Sequence, residues 1–289
     1  MPKHTKTILV PLVRQWHPST NCITRLYKLY TEALSNIETT KAIHFDFSEC
    51  DFLGNHGCVF LGGLDVFLKL KFRLQKITYG NFCNSEVNRY MNRLGYYDKE
   101  QGWTHLPYSD FSMEDIRLKK PYKDINILLK QDIFPFQSDT VKETIKDKMG
   151  ELFLNVLQHS NSPHGATASA QYYPTEKIIR FSLVDFGIGI ARNIQQYSKT
   201  TLRQNISEGE ALLKAFEKRF TTKKGSNGLG LKIIKDFILQ NESKISILCN
   251  RVYYQYDGAS DKEHRYRLKT EQGFDGTFIV IDFNTRKIC

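Results

Sequence analysis

Three short runs in the last 150 residues hold side chains suited to chemistry. Glu151, Asn155 and His159 are spaced four apart in ELFLNVLQHS. On a helix of about 3.6 residues per turn, successive members turn by only about 40°, so a carboxylate, an amide and an imidazole line one face. Such a stripe is costly to bury without partners. It is either the polar side of an amphipathic helix or part of a site, with Met149, Phe153 and Leu157 on the opposite, core-facing side. Next comes Asp185-Phe-Gly187-Ile-Gly189 at the end of an apolar run. A carboxylate there is placed to accept a hydrogen bond, for example from an exocyclic amine, and the glycines allow close approach of a planar ligand. DFG also occurs in eukaryotic-type protein kinases, but the VAIK strand, HRD loop and glycine-rich opening that accompany it there are absent here. The third run is Gly225-Ser-Asn-Gly228-Leu229-Gly230, preceded by Lys223 and Lys224. Glycine-rich backbone leading into a helix offers N–H groups and a positive dipole end to phosphate. Its spacing is neither GxxxxGK[ST] nor GxGxxG, and alone it also reads as a helix-capping loop.

The elements that must position these runs fall into two regions. The first reads as a helix near Cys22–Ile37, a strand Ala42–Phe47, an apolar helix Gly57–Leu70, a strand Lys76–Tyr79 and a helix Ser85–Leu94. Strand alternating with helix predicts a small α/β layer with a largely parallel sheet. Residues 101–138 form a connector with three prolines, Trp103 and one short strand at Ile125–Leu129. The second region, 139–289, opens with a helix of about six turns behind a Thr140/Glu143 capping box. Strands Ala166–Tyr173 and Lys177–Val184 follow. Helices at Ile190–Tyr197, Ser207–Phe220 and Leu229–Leu239 come next, and strands Lys244–Cys249, Arg251–Tyr256 and Thr277–Phe283 close the chain. The expected architecture is a mixed sheet covered by helices.

The 289 residues include 41 Lys and Arg against 31 Asp and Glu, a formal charge of +10. The excess is spread thinly: 18 basic and 15 acidic residues precede position 141, and 23 and 16 follow. A basic surface favours anionic partners such as nucleotide, nucleic acid or acidic protein, though no Lys/Arg-rich run or DNA-reading motif is present. No stretch approaches the ~18 apolar residues of a membrane span. The opening MPKHTKTILVPLVRQWH lacks the apolar core and cleavage site of a secretory leader. Six cysteines at 22, 50, 58, 83, 249 and 289 include no CxxC pair. They read as reduced thiols of a cytoplasmic protein rather than as a zinc site.

Taken together and in this order, the three runs resemble the boxes of the GHKL ATPase superfamily of gyrase, the large heat-shock chaperone, sensor histidine kinases and MutL. FTTKKGSNGLGLKIIKDF is especially similar to the lid and second glycine box of the kinases, and ELFLNVLQHS to the matching helix of histidine kinases and anti-sigma serine kinases. The resemblance covers about 139–283 and implies a Bergerat-type α/β sandwich that binds ATP and Mg²⁺. It assigns Asn155 to the metal and Glu151 to the general base. Asp185 takes the adenine amine, supported by Thr277 of Asp275-Gly276-Thr277, while Gly187 and Gly189 lie against the base. Lys223, Lys224, Gly225, Gly228, Leu229 and Gly230 close over the phosphates, with His159 on the phosphate side. In the first region, IHFDFSECDFLGNHGCVFLGGL and VNRYMNRLGYYD resemble the central strand, loop, helix and later helix of STAS domains. The loop Gly54-Asn55-His56-Gly57 has no hydroxyl where phosphorylation-regulated STAS proteins carry serine.

Three functions follow as expectations. The first is a slow ATPase that signals nucleotide state to a protein partner or to a second copy of the chain. The second is a protein kinase of serine/threonine or histidine type acting on a separate, STAS-like partner; no dimerising helical hairpin with a phosphoacceptor histidine precedes the ATP region. The third is a nucleotide-regulated binding module, for which nucleic acid is the less favoured partner.

Overall fold

The computed structural model describes residues 4–10, 21–93, 143–150, 152, 162, 165–217, 230–269 and 273–288. The chain divides into two compact units, Met1–Asp110 and Phe111–Cys289. The expected connector and its short strand lie outside the described residues.

In the first unit, strands β1 (His4–Leu9), β2 (Thr40–Asp46) and β3 (Lys76–Gly80) form a sheet in the order β1-β2-β3, parallel throughout. Helices α1 (Asn21–Leu34) and α2 (Asn55–Phe72) make the crossovers that parallel pairing requires, and α3 (Ser85–Arg93) follows. The α1 side chains Ile23, Leu26, Tyr27, Tyr30 and Ala33 recur at helical spacing and are buried. Ile43 and Phe45 alternate into the core from β2, and the Phe45 ring stacks on Tyr79 of β3 at 5.3 Å. The sequence pattern does not predict strand β1, because its first four residues, His-Thr-Lys-Thr, show no apolar alternation. Lys6 of β1 donates to Ser35 O and Ser35 Oγ, at 2.7 and 2.6 Å, just past the C-terminal end of α1, where a cation meets the negative end of the helix dipole. Asn55, His56 and Gly57 are not loop residues: they form the buried first turn of α2, with Gly54 as its N-cap.

The second unit opens with a helix over 143–150, here α4, whose Ile145 and Met149 are buried, as is Leu152. The other elements are β4 (Ala166–Tyr173), β5 (Ile178–Asp185), α5 (Ile190–Thr200), α6 (Glu208–Lys214), α7 (Gly230–Gln240), β6 (Lys244–Asn250), β7 (Val252–Asp257), β8 (Lys262–Arg267), β9 (Phe274–Asn284) and α8 (Thr285–Ile288). The sheet order is β4-β5-β9-β6-β7-β8. Every described pairing is antiparallel, which corrects the expected mixed sheet. The helical crossover from β5 to β6 does leave these two strands running the same way, but β9 is inserted between them and pairs antiparallel with both. Helix α6 ends at Lys214, earlier than the sequence pattern suggests.

Cross-strand partners share a face. One face carries Phe181, Leu183, Ile245, Ile247, Ile279 and Ile281, all fully buried. Helices cover it: Phe216 lies 4.8 Å from Tyr254, and Phe237 of α7 lies 6.0 Å from Phe283. The opposite face carries polar side chains, several of them paired with one another. Arg180 forks onto Asp282, with Nε–Oδ1 at 2.6 Å and Nη2–Oδ2 at 2.8 Å, and Gln255 donates to Ser246 at 3.0 Å. Strand β8, KEHRYR, is an exposed charged edge. Charge on an edge strand hinders pairing with other chains, and the lack of apolar alternation hides this strand from a sequence reading. No described helix is long and apolar enough to cross a membrane.

Candidate functional site

Asp185 is the last residue of β5. It is paired directly with Thr277 on β9, which in turn is paired with Cys249 on β6. These three side chains therefore form one row across adjacent strands at one end of the sheet, on the helix-covered face. All three are buried, Asp185 at 1% exposure and the other two at 0%.

Both oxygens of the Asp185 carboxylate brace the chain around it. Oδ1 accepts from Gly187 N at 2.8 Å, closing a short turn within the DFGIG run, and Oδ2 accepts from Thr277 N at 3.1 Å. An ionised carboxylate has about four acceptor sites, and these two amides fill two of them. The link between Asp185 and Thr277 expected from the sequence is thus made by the Thr277 backbone. The Thr277 hydroxyl turns the other way and accepts from Ile190 N at 3.1 Å.

That last bond belongs to a cap assembled from distant strands. Helix α5 begins at Ile190 behind Gly189, which has no side chain to cap it, and the first N–H groups of any helix have no partner inside the helix. Here Ile190 N donates to Thr277 Oγ1, Ala191 N to Cys249 Sγ at 3.3 Å, and Arg192 N to Asn250 Oδ1 at 3.2 Å. Three successive amides are taken up by three side chains of β9 and β6. Burial pushes the Cys249 thiol up to about 12, with Asp185 nearby adding to the shift, so this acceptor is a neutral thiol at physiological pH.

Asn250 is the second brace. Its Nδ2 donates to Ile188 O at 3.0 Å and Phe274 O at 3.3 Å, while Oδ1 faces Arg192 N. It adopts the left-handed conformation, φ 55°, where the β6–β9 register shifts between Cys249 and Asn250. Asparagine tolerates that region better than most residues.

The glycines explain how tightly the turn is packed. Gly189 has φ +82°, and a Cβ added there would lie 2.6 Å from Gly276 O and 2.8 Å from Asn250 Oδ1. A Cβ on Gly276, φ +135°, would meet Asp185 O at 2.0 Å. The demand for glycine at 189 is thus intramolecular: that space holds the start of β9 and the Asn250 amide. Outside the turn, Arg192 Nη1 pairs with Asp275 Oδ1 at 2.7 Å.

Of the residues singled out from the sequence, Asp185, Gly187, Gly189 and Thr277 come together in this turn. Gly230 opens α7. Glu151, Asn155, His159, Lys223, Lys224, Gly225, Gly228 and Leu229 lie outside the described residues. Sequence reasoning misses Cys249 and Asn250. The apolar run KISILC hides the cysteine as one more strand residue, and the only trace of the asparagine is a polar residue ending that run.

No protein-family model matches the chain, and none of the curated proteins matches it. Among solved structures, the chain is similar to the ATPase region of Saccharomyces cerevisiae topoisomerase II, at 13% sequence identity and a TM-score of 0.31. The match covers 49% of this chain and 38% of the topoisomerase chain, well under two thirds of its length. A likeness at this level fixes neither fold nor function.

Proposed function

We propose that the second unit is a GHKL-type, Mg·ATP-binding module that hydrolyses ATP slowly and reports nucleotide state to a protein partner. One observation carries the reading. The carboxylate of Asp185 is held at a strand end by the amides of Gly187 and Thr277, so two runs 92 positions apart meet at one buried acceptor. The chemistry of that acceptor suits an exocyclic amine, and its fixed position suits recognition of a flat base rather than of phosphate.

Asn155 is proposed to hold the metal, and Glu151 to act as the base toward an attacking water. Held there, Mg²⁺ would supply positive charge to offset that of the phosphates. Lys223, Lys224 and the glycine run 225–230 are proposed to cover the phosphates, and ordering of such a segment by the γ-phosphate is a recognised switching device.

The test follows the γ-phosphate of labelled ATP, with and without host lysate. Free phosphate released by the pure protein and absent in Glu151→Ala is the expected result. Label transferred to a lysate protein and lost in Asn155→Ala would replace hydrolysis with a kinase reading. Tight Mg·ATP binding retained in both Asn155→Ala and Asp185→Asn would overturn the site itself.

A further inference from the structure

A cavity of about 450 Å³ opens in the second unit between the first turn of α6 and strands β7 and β8. The row Asp185–Thr277–Cys249–Val252–Arg267 links it to the Asp185 turn through successive cross-strand pairs. Four strand spacings of about 4.8 Å put Arg267 about 19 Å from Asp185 along the sheet. The cavity therefore lies well away from the Asp185 turn.

Three arginines line it: Arg251 after the end of β6, and Arg265 and Arg267 on β8. Two carboxylates line it as well, and both are engaged. Glu208 takes the fork of Arg251, with Nε–Oε2 at 3.1 Å and Nη2–Oε1 at 3.4 Å. The Glu210 carboxylate accepts from Ser207 N at 2.7 Å in a capping box that also returns Ser207 Oγ to Glu210 N. Among the described residues neither Arg265 nor Arg267 has a carboxylate within ion-pair distance, although, after the Ser207 hydrogen bonds, the Arg265 charge helps to hold the Glu210 carboxyl below its usual range. They sit two apart on one strand, so their side chains leave the same face about 6.8 Å apart, beside the paired residues Tyr254 and Val252. Gln195 of α5, whose Nε2 donates to Ile206 O, adds a polar wall. Guanidinium forks match phosphate oxygens in a planar, two-point manner that ammonium groups do not.

We infer that this cleft is a binding site for a small phosphate-bearing polyanion, held by Arg265 and Arg267 while the Arg251–Glu208 pair fixes its floor. The volume falls in the range of small-molecule sites, about 300–1,000 Å³, and two guanidiniums at strand spacing favour a diphosphate over a single phosphate. The inference does not depend on the ATP reading of the other site.

The experiment is calorimetric titration of inorganic pyrophosphate, without added metal, into the full-length protein. Wild type is compared with Arg265→Gln/Arg267→Gln and with Lys199→Gln/Lys262→Gln, which removes the same charge from exposed positions outside the cleft. Circular dichroism checks that each variant is folded; all four side chains are exposed, so the fold should hold. The expected result is saturable binding to wild type, weakened at least tenfold by the arginine pair and unchanged by the lysine pair. Equal weakening in both variants would reduce the effect to net charge and overturn the proposal. So would full affinity in the arginine variant, or no saturable binding to wild type at millimolar pyrophosphate.

Discussion

Asp185→Asn separates the two tasks assigned to one carboxylate. In the wild type each oxygen accepts one backbone amide, from Gly187 at 2.8 Å and Thr277 at 3.1 Å. Asparagine fills the same volume but has one oxygen and one NH₂ group, so one of the two amides must face a donor. A buried donor left unsatisfied costs about 1–3 kcal/mol, and the lost bond to a charged acceptor lies at the upper end of that range. Removing a buried charge offsets part of this. The net expectation is a loss of about 2–3 kcal/mol, which in a unit of this size lowers Tm by about 4–12 °C at roughly 2–4 °C per kcal/mol. That loss appears with no nucleotide present.

The binding task has a separate readout. A hydrogen bond to a charged group is worth about 1.5–3 kcal/mol, so ATP affinity should fall by about 10- to 150-fold, taking 1.4 kcal/mol per decade. Guanine carries a carbonyl where adenine carries its amine. Wild type should therefore favour ATP over GTP, and the NH₂ group that replaces one carboxylate oxygen in the variant should narrow or reverse that preference. Calorimetric titration of both nucleotides into both proteins measures it. A fall in Tm with an unchanged ATP-to-GTP ratio would keep the brace and remove the adenine role. No change in either quantity would refute the whole argument.

Three further outcomes follow from the same geometry. Asn250→Ala removes the side chain that receives Arg192 N and ties down Ile188 and Phe274. It should cost about 2–3 kcal/mol, and hydrogen exchange should speed up at the start of α5 more than in β4; uniform acceleration would show that Asn250 does not act locally. Asp282→Ala leaves the buried Arg180 guanidinium with the more distant Glu176, at 4.0 Å, and should cost about 3–5 kcal/mol, read as a lower midpoint in urea; a change below about 1 kcal/mol would mean that Glu176 takes over the pairing. The raised thiol of Cys249, ordinarily 9.0 and here about 12, contributes stability that is fully present below about pH 9 and is lost as pH rises towards about 12, because only the unfolded chain ionises readily in that interval. Cys249→Ala should flatten the decline of Tm on the alkaline side of that lower bound, and curves that run parallel would reject the assignment.

The parts of this arrangement that are legible in the sequence share one property: they are written in local pattern. DFGIG closing an apolar run marks the end of β5, and Thr277 opens the last strand expected from the pattern; that Asp185 meets Thr277 is implied by the family resemblance and by neither local pattern. Strand periodicity says nothing about which strands become neighbours. The helical crossover from β5 to β6 suggests adjacent parallel strands, and only the position of β9, coming last in the chain and lying between them, makes the sheet antiparallel. Cys249 and Asn250 are illegible for a related reason. Their work is to receive amides of a helix some 60 residues earlier, and nothing in Ile-Leu-Cys-Asn announces that. Strands β1 and β8 escape because one begins with a polar stretch and the other is charged along nearly its whole length.

The capping of α5 also constrains where phosphate can bind. A helix N-terminus that follows a glycine turn is an attractive anion site on sequence grounds. In this unit the amides of Ile190, Ala191 and Arg192 already donate to Thr277, Cys249 and Asn250. An anion at that end would have to displace three buried acceptors, each of which would then lose its own hydrogen bond at a cost of about 1–3 kcal/mol. The DFGIG turn therefore suits a base better than a phosphate. In the proposed ATP-binding reading, the phosphates must be met elsewhere, which leaves the glycine run before α7, its two lysines and Asn155. The prediction is asymmetric. Changes at Asp185 or Asn250 should alter base preference and stability together, whereas Lys223→Ala/Lys224→Ala should weaken ATP far more than adenosine and leave Tm of the free protein unmoved. Equal weakening of ATP and adenosine by the lysine pair would show that this division between the two ends is wrong.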